Sequence, residues 1–515
     1  MIPQRETTFG GFEMGQHNLA LLAEQSFERH GDRPVLYWEG QTFTSGALRD
    51  RTERLATGLA ELGIEPGDRV VVMMANCPEV SICYTALWRA GAAITPAIFL
   101  LSADDLHHIL EDSEARAIIT TPEFLATVQT AAEGVDTCKF IISTGAEQEG
   151  VIPLASLEDA APGSIVVRDD ADLAALMYTG GTTGKAKGVM LSHENLWWAG
   201  KQSREASHVE GITRSLVPLP LSHSFGLIVT VVGFHAEEPG DAVLMTWFDP
   251  TGWLELTQEF KVHQAPMVPT MLQILLAMPL EDYDLSSLRY IVSGASPLSV
   301  DVVTEFERRV PSVHIRQGYG LTETSASMTV TRPDSRVLGS VGKANPGFDI
   351  RIVDEEGNDV PTGEEGEIIC KSEAVMLGYW RAPEATAGSI KDGYFYTGDI
   401  GKLDEDGNVF ILDRKKDLIL RGGFNVFPRD VEDALVEHPA VAVAGVVGKP
   451  DPVKGEEVVA FVQLNPGAEA TPEELIEFAK ERLSKYKYPR EVHIVESVPL
   501  TPVFKIDRKK LRTML

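Results

Sequence analysis

Tyr178-Thr-Gly-Gly-Thr-Thr-Gly-Lys-Ala-Lys-Gly-Val189 is the stretch from which the chain is best read. It holds four glycines, three threonines and two lysines and no acidic residue, in a chain whose formal net charge is −30. Glycine lets backbone approach a ligand and take positive φ, and successive backbone amides with hydroxyls and lysines suit a polyphosphate. The same composition also describes a plain surface loop, and these residues alone leave that reading open. A Walker-type loop does not fit. Between Gly180 and Gly184-Lys185 the stretch is one residue short, and Ala186 stands where a magnesium-binding Ser or Thr would be needed. Gly188 to Leu191 then reads as a short strand, not the helix that a Walker loop feeds.

Outward from this loop the chain alternates helical and extended stretches. Leu48 to Leu62 has helical spacing and stops at Gly63; Arg69 to Met74 is a short apolar strand; Val80 to Ala90 reads as helix; Ala92 to Ile98 and Ala117 to Thr120 continue the rhythm. This predicts an α/β fold with largely parallel sheets. From about Val341 to Phe410 short strands are broken by turns such as Asp354-Glu-Glu-Gly357, which predicts a β-rich subdomain over about 341–412. The expected division is a large N-terminal domain (1–412), a charged connection (413–416) and a small, mobile α+β C-terminal domain (417–515). In the last, Pro428 to His438 is a helix with Pro at its start, and Thr471-Pro-Glu-Glu474 opens another with a capping box.

A chain of 515 residues exceeds one ordinary core. Its strong negative charge disfavours nucleic acid and anionic membranes as partners. The longest apolar runs, such as Leu227 to Phe234, are far short of a membrane span, and the first residues lack the order of a signal peptide. Cys77, Cys83, Cys138 and Cys370 are scattered with no CxxC pair, which argues against a zinc site and for a reducing cytosol. Charge is uneven: Lys485 to Arg512 carries eight Lys/Arg against three acidic residues. A solvated face would explain that, but a docking site for an anionic cosubstrate is the favoured reading. Nothing in the sequence selects between monomer and homodimer.

Further motifs recur in order: Pro218-Leu-Pro-Leu-Ser-His-Ser-Phe-Gly226, Ser293-Gly-Ala-Ser-Pro297, Gln317-Gly-Tyr-Gly-Leu-Thr-Glu-Thr324, Tyr396-Thr-Gly-Asp399, Asp413-Arg-Lys-Lys416, Gly422-Gly-Phe-Asn-Val-Phe-Pro428 and Pro499-Leu-Thr-Pro-Val-Phe-Lys-Ile-Asp-Arg508. With Tyr178–Val189 they span nearly the whole chain. As an ordered set they resemble the adenylate-forming superfamily, in particular its acyl- and aryl-CoA ligase branch.

The resemblance implies a phosphate loop using Thr179, Thr182, Thr183, Lys185 and Lys187. The adenine would lie against Gly294, Ala295 and Ser296 with Tyr319 stacked on it, and Gln317, Gly318 and Gly320 would complete the nucleotide wall. Thr322 would meet the α-phosphate, and Glu323 would be a hard oxygen ligand for Mg²⁺. Asp399 would accept from the ribose hydroxyls and Arg414 would reach ribose or phosphate. Lys416 falls at the hinge, and Gly422, Gly423 and Phe424 on the loop that lines the pantetheine tunnel of coenzyme A. The acyl pocket would be His223, Phe225, Val268, Pro269, Ser293, Gly318 and Leu321, with His223 gating carboxylate entry. Lys505 would neutralise charge during adenylation.

Three positions depart from the family pattern, one of them Ala186, which stands where proline is common. Gly180 stands where a hydroxyl residue is usual, and Phe504 stands directly before Lys505 where glycine is usual. Bulk and restricted torsions at Phe504 predict that Lys505 docks poorly for adenylation, so that thioester formation from a preformed acyl-adenylate survives better than adenylation. The expected substrates are ATP or an acyl-adenylate, coenzyme A and a carboxylic acid. No cation is committed by sequence to a second carboxylate, which predicts a mostly apolar acid. Alternatives are a free-standing adenylation enzyme that loads a carrier-protein thiol, a non-catalytic adenylate-binding protein and, with less support, a luciferase-type oxygenase.

Overall fold

The computed structural model describes residues 16–145, 148–179, 185–501 and 506–515. Two large mixed sheets form the N-terminal domain. In the first, five strands run parallel to their neighbours from His314–Tyr319 through Tyr290–Ser293, Gln264–Met267 and Arg214–Val217 to Asp241–Leu244, continue in parallel into Pro34–Trp38, and are closed at both ends by antiparallel strands. In the second, Leu173–Thr179, Ala93–Ala97, Arg69–Met73, Ala117–Thr120, Phe140–Ser143 and Val151–Pro153 are parallel. Lys187–Ser192 pairs antiparallel with Leu173–Thr179, so Tyr178 and Thr179 lie opposite Gly188 and Lys187 on neighbouring strands.

The sequence explains these elements locally. Arg-Val-Val-Val-Met (69–73) and Ala-Ile-Ile-Thr (117–120) are continuous β-branched runs and are buried on both faces, as strands of a covered parallel sheet must be. The helix Ser45–Leu62 is capped by the Thr44 hydroxyl and ends at Gly63 with φ 104°, a left-handed stop that glycine takes without strain. The apolar run 227–234 forms most of the helix Ser224–Phe234, whose Leu227, Ile228 and Val231 are buried in the core shared with Val70, Tyr84, Trp88 and Leu191. Among the described residues no helix is long and apolar enough to cross a membrane.

An antiparallel sheet of Asp349–Val353, Gly366–Lys371, Tyr394–Leu403 and Val409–Arg414 follows. The smaller C-terminal domain has its own sheet, built on the hairpin Val441–Asp451/Gly455–Leu464, and its own core of Val431, Leu435, Val446, Val458, Leu475 and Ala479. Its helix Pro472–Arg482 carries the capping box read from sequence: Thr471 Oγ1 accepts from the Glu474 amide, and Glu474 accepts from the Thr471 amide. The two parts are tied at their junction, where Asp413 accepts from the Arg429 amide at 2.9 Å and the Arg429 guanidinium donates to the Ile411 carbonyl at 2.8 Å.

Candidate active site

The C-terminal ends of the parallel strands, the antiparallel sheet and one face of the C-terminal domain enclose a continuous cavity of about 2310 Å³. That exceeds the roughly 300–1,000 Å³ of an ordinary ligand pocket and leaves room for more than one substrate. Asp399 lines the cavity. One carboxylate oxygen accepts from the Tyr319 hydroxyl at 2.6 Å and the other meets the Arg414 guanidinium at 2.8 Å. Asp399 is 3 % exposed. It is placed by the strand pair Tyr394–Leu403/Val409–Arg414, which sets Asp399 directly opposite Arg414. Asp399 holds the Arg414 pKa above its ordinary value, and burial beside Asp399 raises that of the Tyr319 phenol. The cluster is therefore a carboxylate with a neutral phenol and a cation on its two oxygens.

The strand His314–Tyr319 feeds a tight loop. Met328 donates its amide to the Tyr319 carbonyl, Ala326 donates to Leu321, and Ser325 and Ala326 both take positive φ, at 52° and 78°. This loop presents Thr322, whose hydroxyl lies 3.3 Å from that of Ser224, and Glu323, which accepts from the Tyr379 hydroxyl at 2.9 Å. The Lys187 ammonium lies 5.2 Å from the centre of the Tyr379 ring. Tyr379 and Ser224 were not singled out from sequence. Their signals were weak, a Gly-Tyr-Trp run and the residue after His223. Lys185, Lys187, Arg414, Lys416 and Arg508 all reach the cavity wall, interleaved with carboxylates such as Glu323, Asp399 and Asp413. Burial also lowers the Lys416 pKa.

Beside Tyr319, Gly294 and Gly318 leave a slot against the Phe225 ring; a methyl group at Gly294 would come within 3.4 Å of that ring and 3.2 Å of the Gly318 carbonyl. Ala295 beside them has φ 72°, a left-handed conformation that a non-glycine residue seldom takes. His223 caps the helix Ser224–Phe234 by accepting from the Phe225 amide at 3.3 Å.

Thr179, Ser296, Gln317, Gly320 and Leu321 line the cavity, as does Pro269. Ser293 and Val268 do not. Ser293 is 1 % exposed behind the wall, and Val268 lines a small separate void with Leu219, Met271 and Ala295. Gly422, Gly423 and Phe424 lie away from the cavity, on the turn of a hairpin (Ile419–Arg421 with Phe424–Val426). Both glycines have positive φ, at 60° and 83°, which such a two-residue turn requires. Phe424 is 56 % exposed and stacks on Tyr486. Gly180, Thr182, Thr183, Phe504 and Lys505 lie outside the described residues; the neighbouring Ile506 to Lys509 reach the cavity. Within that stretch Arg508 bonds Glu432 at 2.7 Å, and burial pushes the Glu432 carboxyl up to about 7 against the pull of that arginine.

A family model described as AMP-binding enzyme matches residues 23–380, and one described as AMP-binding enzyme C-terminal domain matches residues 430–505. The chain belongs to the AMP-binding enzyme family. Relatives agree with this over nearly full length. A feruloyl-CoA synthase from Amycolatopsis sp is 35% identical over 94% of this chain and 94% of its own. A long-chain-fatty-acid–CoA ligase from Bacillus subtilis (strain 168) is 34% identical over 96% of this chain and 94% of its own. The solved structure of the anthranilate CoA ligase AuaEII in complex with anthranoyl-AMP superposes with a TM-score of 0.91 at 25% identity, covering 96% of this chain and 97% of that one. Within the family this AMP-binding enzyme is an acid–thiol ligase of the acyl-CoA synthetase type.

Proposed function

We propose that this AMP-binding enzyme joins a carboxylic acid with a mostly apolar body to coenzyme A in two steps that share the central cavity. A carboxylate oxygen of the acid attacks the α-phosphorus of ATP, the bond to the β-phosphate oxygen breaks, and pyrophosphate leaves. The thiolate sulfur of coenzyme A then attacks the acyl carbon, and AMP leaves with the electron pair of the broken C–O bond. The observation that carries this reading is the Tyr319–Asp399–Arg414 cluster opening onto the same cavity as the Gly294/Gly318 slot. Asp399 is suited to accept from both ribose hydroxyls, and the slot to hold the acyl group beside the α-phosphate. Thr322 and the lysines Lys185 and Lys187 orient phosphate oxygens and offset their charge.

Magnesium fits the residues present. Glu323 brings a carboxylate to the wall, and no group of three or more His, Cys, Asp or Glu among the described residues forms a protein cage. That suits an ion held by one carboxylate and substrate phosphates. When bound, it would supply charge neutralisation on those phosphates.

Two faces of the C-terminal domain serve the two steps. The segment that carries Ile506 to Lys509 faces the cavity, while the Gly422-Gly423 hairpin lies outside with Phe424 exposed. Rotation about Lys416 would bring the hairpin in to line the thiol's approach. Apolar slot residues such as Phe225, Ile228, Val217 and Pro266, together with relatives named for feruloyl and long-chain acyl groups, support an acid with an apolar body. Four free cysteines, three of them buried, fit a reducing cytosol.

Phe504 and Gly180 bias this enzyme toward the second step. Acid-dependent exchange of pyrophosphate into ATP should be slow in the wild type and rise at least about tenfold in Phe504→Gly, a gain of about 1.4 kcal/mol in the barrier. Exchange that is already fast and does not change in the variant would remove the bias and leave the ligase reading standing.

A further inference from the structure

The sheet face beneath the helix Ser224–Phe234 is layered. Alternation along parallel strands puts Gly294 and Gly318 at the top, then Pro266, Val292 and Arg316, then Ser215, Gln264 and Tyr290; all reach the cavity. Two residues of strand advance about 7 Å, so the second layer lies about that far below the slot where the carboxyl would be activated. The layer is apolar except for Arg316.

Arg316 is 3 % exposed. Its Nε donates to the Thr331 carbonyl and its Nη1 to the Ser207 carbonyl, both at 2.9 Å, while Nη2 has no hydrogen-bond partner among the described residues. The Tyr290 ring lies 5.4 Å from the guanidinium carbon, the neighbouring charge is the like-charged Arg332, and among the described residues no carboxylate forms an ion pair with it. Across from the sheet, on the helix His193–Ser207, the Ser203 hydroxyl is also buried without a partner. A buried guanidinium lacking a counter-charge is costly unless something else supplies oxygen. Burial lowers the Arg316 pKa only to about 10, which leaves it charged at neutral pH.

We infer that the cavity reads the far end of the acid: Arg316, with Ser203, receives a hydrogen-bond-accepting oxygen on the substrate about 7 Å from the activated carboxyl. The body of the acid is then apolar and its terminus is not. This rests on the ligase reading and adds the chemical class of the acid. A purely structural Arg316 would clamp Ser207 to Thr331 and be indifferent to the substrate's terminus.

The test uses the full-length enzyme and three non-hydrolysable acyl-adenylate analogues, in which a benzoyl group carries a para carboxylate, hydroxyl or methyl; affinities are measured by calorimetry. At least one oxygen-bearing analogue should bind ten times or more tighter than the methyl one, and which of the two does so identifies the source of the oxygen. In Arg316→Met that ratio should fall to within about twofold of one, and Arg316→Lys should restore part of it. A ratio taken within one preparation is unaffected by how much of a variant folds. Equal or tighter binding of the methyl analogue by the wild type, or an unchanged ratio in Arg316→Met, would overturn the inference. Failure of all three analogues to bind would instead count against the adenylate site itself.

Discussion

Replacing Asp399 by asparagine should lower kcat/KM for ATP by on the order of 10²–10³-fold while leaving the protein folded. A hydrogen bond to a charged group is worth about 1.5–3 kcal/mol, Asp399 is suited to make two to ribose, and each 1.36 kcal/mol is about tenfold in rate. The Arg414 side chain is 43% exposed and can turn to water once its partner is neutral, which sets the effect on folding low and the effect on nucleotide nearer the lower end. An amide can accept at one atom only, so it cannot take two ribose hydroxyls while still holding Arg414 and the Tyr319 hydroxyl. Steady-state kinetics with ATP and direct binding of AMP should weaken together. Values within threefold of the wild type would place the ribose elsewhere.

Gly320→Ala should be nearly as damaging for a different reason. A Cβ at Gly320 would lie 2.2 Å from the Ala326 carbonyl oxygen and 2.5 Å from its carbon. Those are backbone atoms of the tight loop that already holds Ser325 and Ala326 at positive φ, so no side chain can swing aside. Relief has to come from moving the loop, and with it Thr322 and Glu323. Overpacking of this kind costs about 1–3 kcal/mol, and misplacing reacting groups by about 1 Å costs about 10²-fold. A lowered Tm and a fall of about 10²-fold in kcat/KM are therefore expected together. Wild-type kinetics in the variant would show that this loop does not position the phosphates.

Much of the fold was legible because its signals are local. Gly63 ends a helix, Thr471 and Glu474 cap another, and buried parallel strands show as short apolar runs; the Thr44 cap, three residues before the expected start at Leu48, emerged only in the structure. The motifs were legible for the same reason: each is a contiguous run. What they do to one another was not. Tyr319 meets Asp399 across 80 residues, Tyr379 meets Glu323 across 56, and Arg316 meets Ser207 across 109. No periodicity encodes those distances.

Arg316 is the instructive case. The motif legible in the sequence begins at Gln317, and no cation there is visibly committed to a second carboxylate. Residues 316 and 318 lie two apart on one strand and so share a face, which placed Arg316 one layer below the slot. That its Nη2 would be buried without a partner depended on the fold. The Gly422-Gly423 hairpin shows the converse. Its glycines were legible, by resemblance, as part of a tunnel-lining loop, but its position outside the cavity depends on how the C-terminal domain is set against the rest.

The reading rests most directly on sulfur displacing AMP from an acyl-adenylate held in this cavity. The decisive measurement supplies purified enzyme with a synthetic acyl-adenylate and coenzyme A, without ATP, and follows AMP and thioester by mass spectrometry. One AMP and one acyl-CoA should appear for each adenylate consumed, with neither formed when coenzyme A is omitted. An enzyme that binds the adenylate yet releases no AMP on addition of coenzyme A would contradict it.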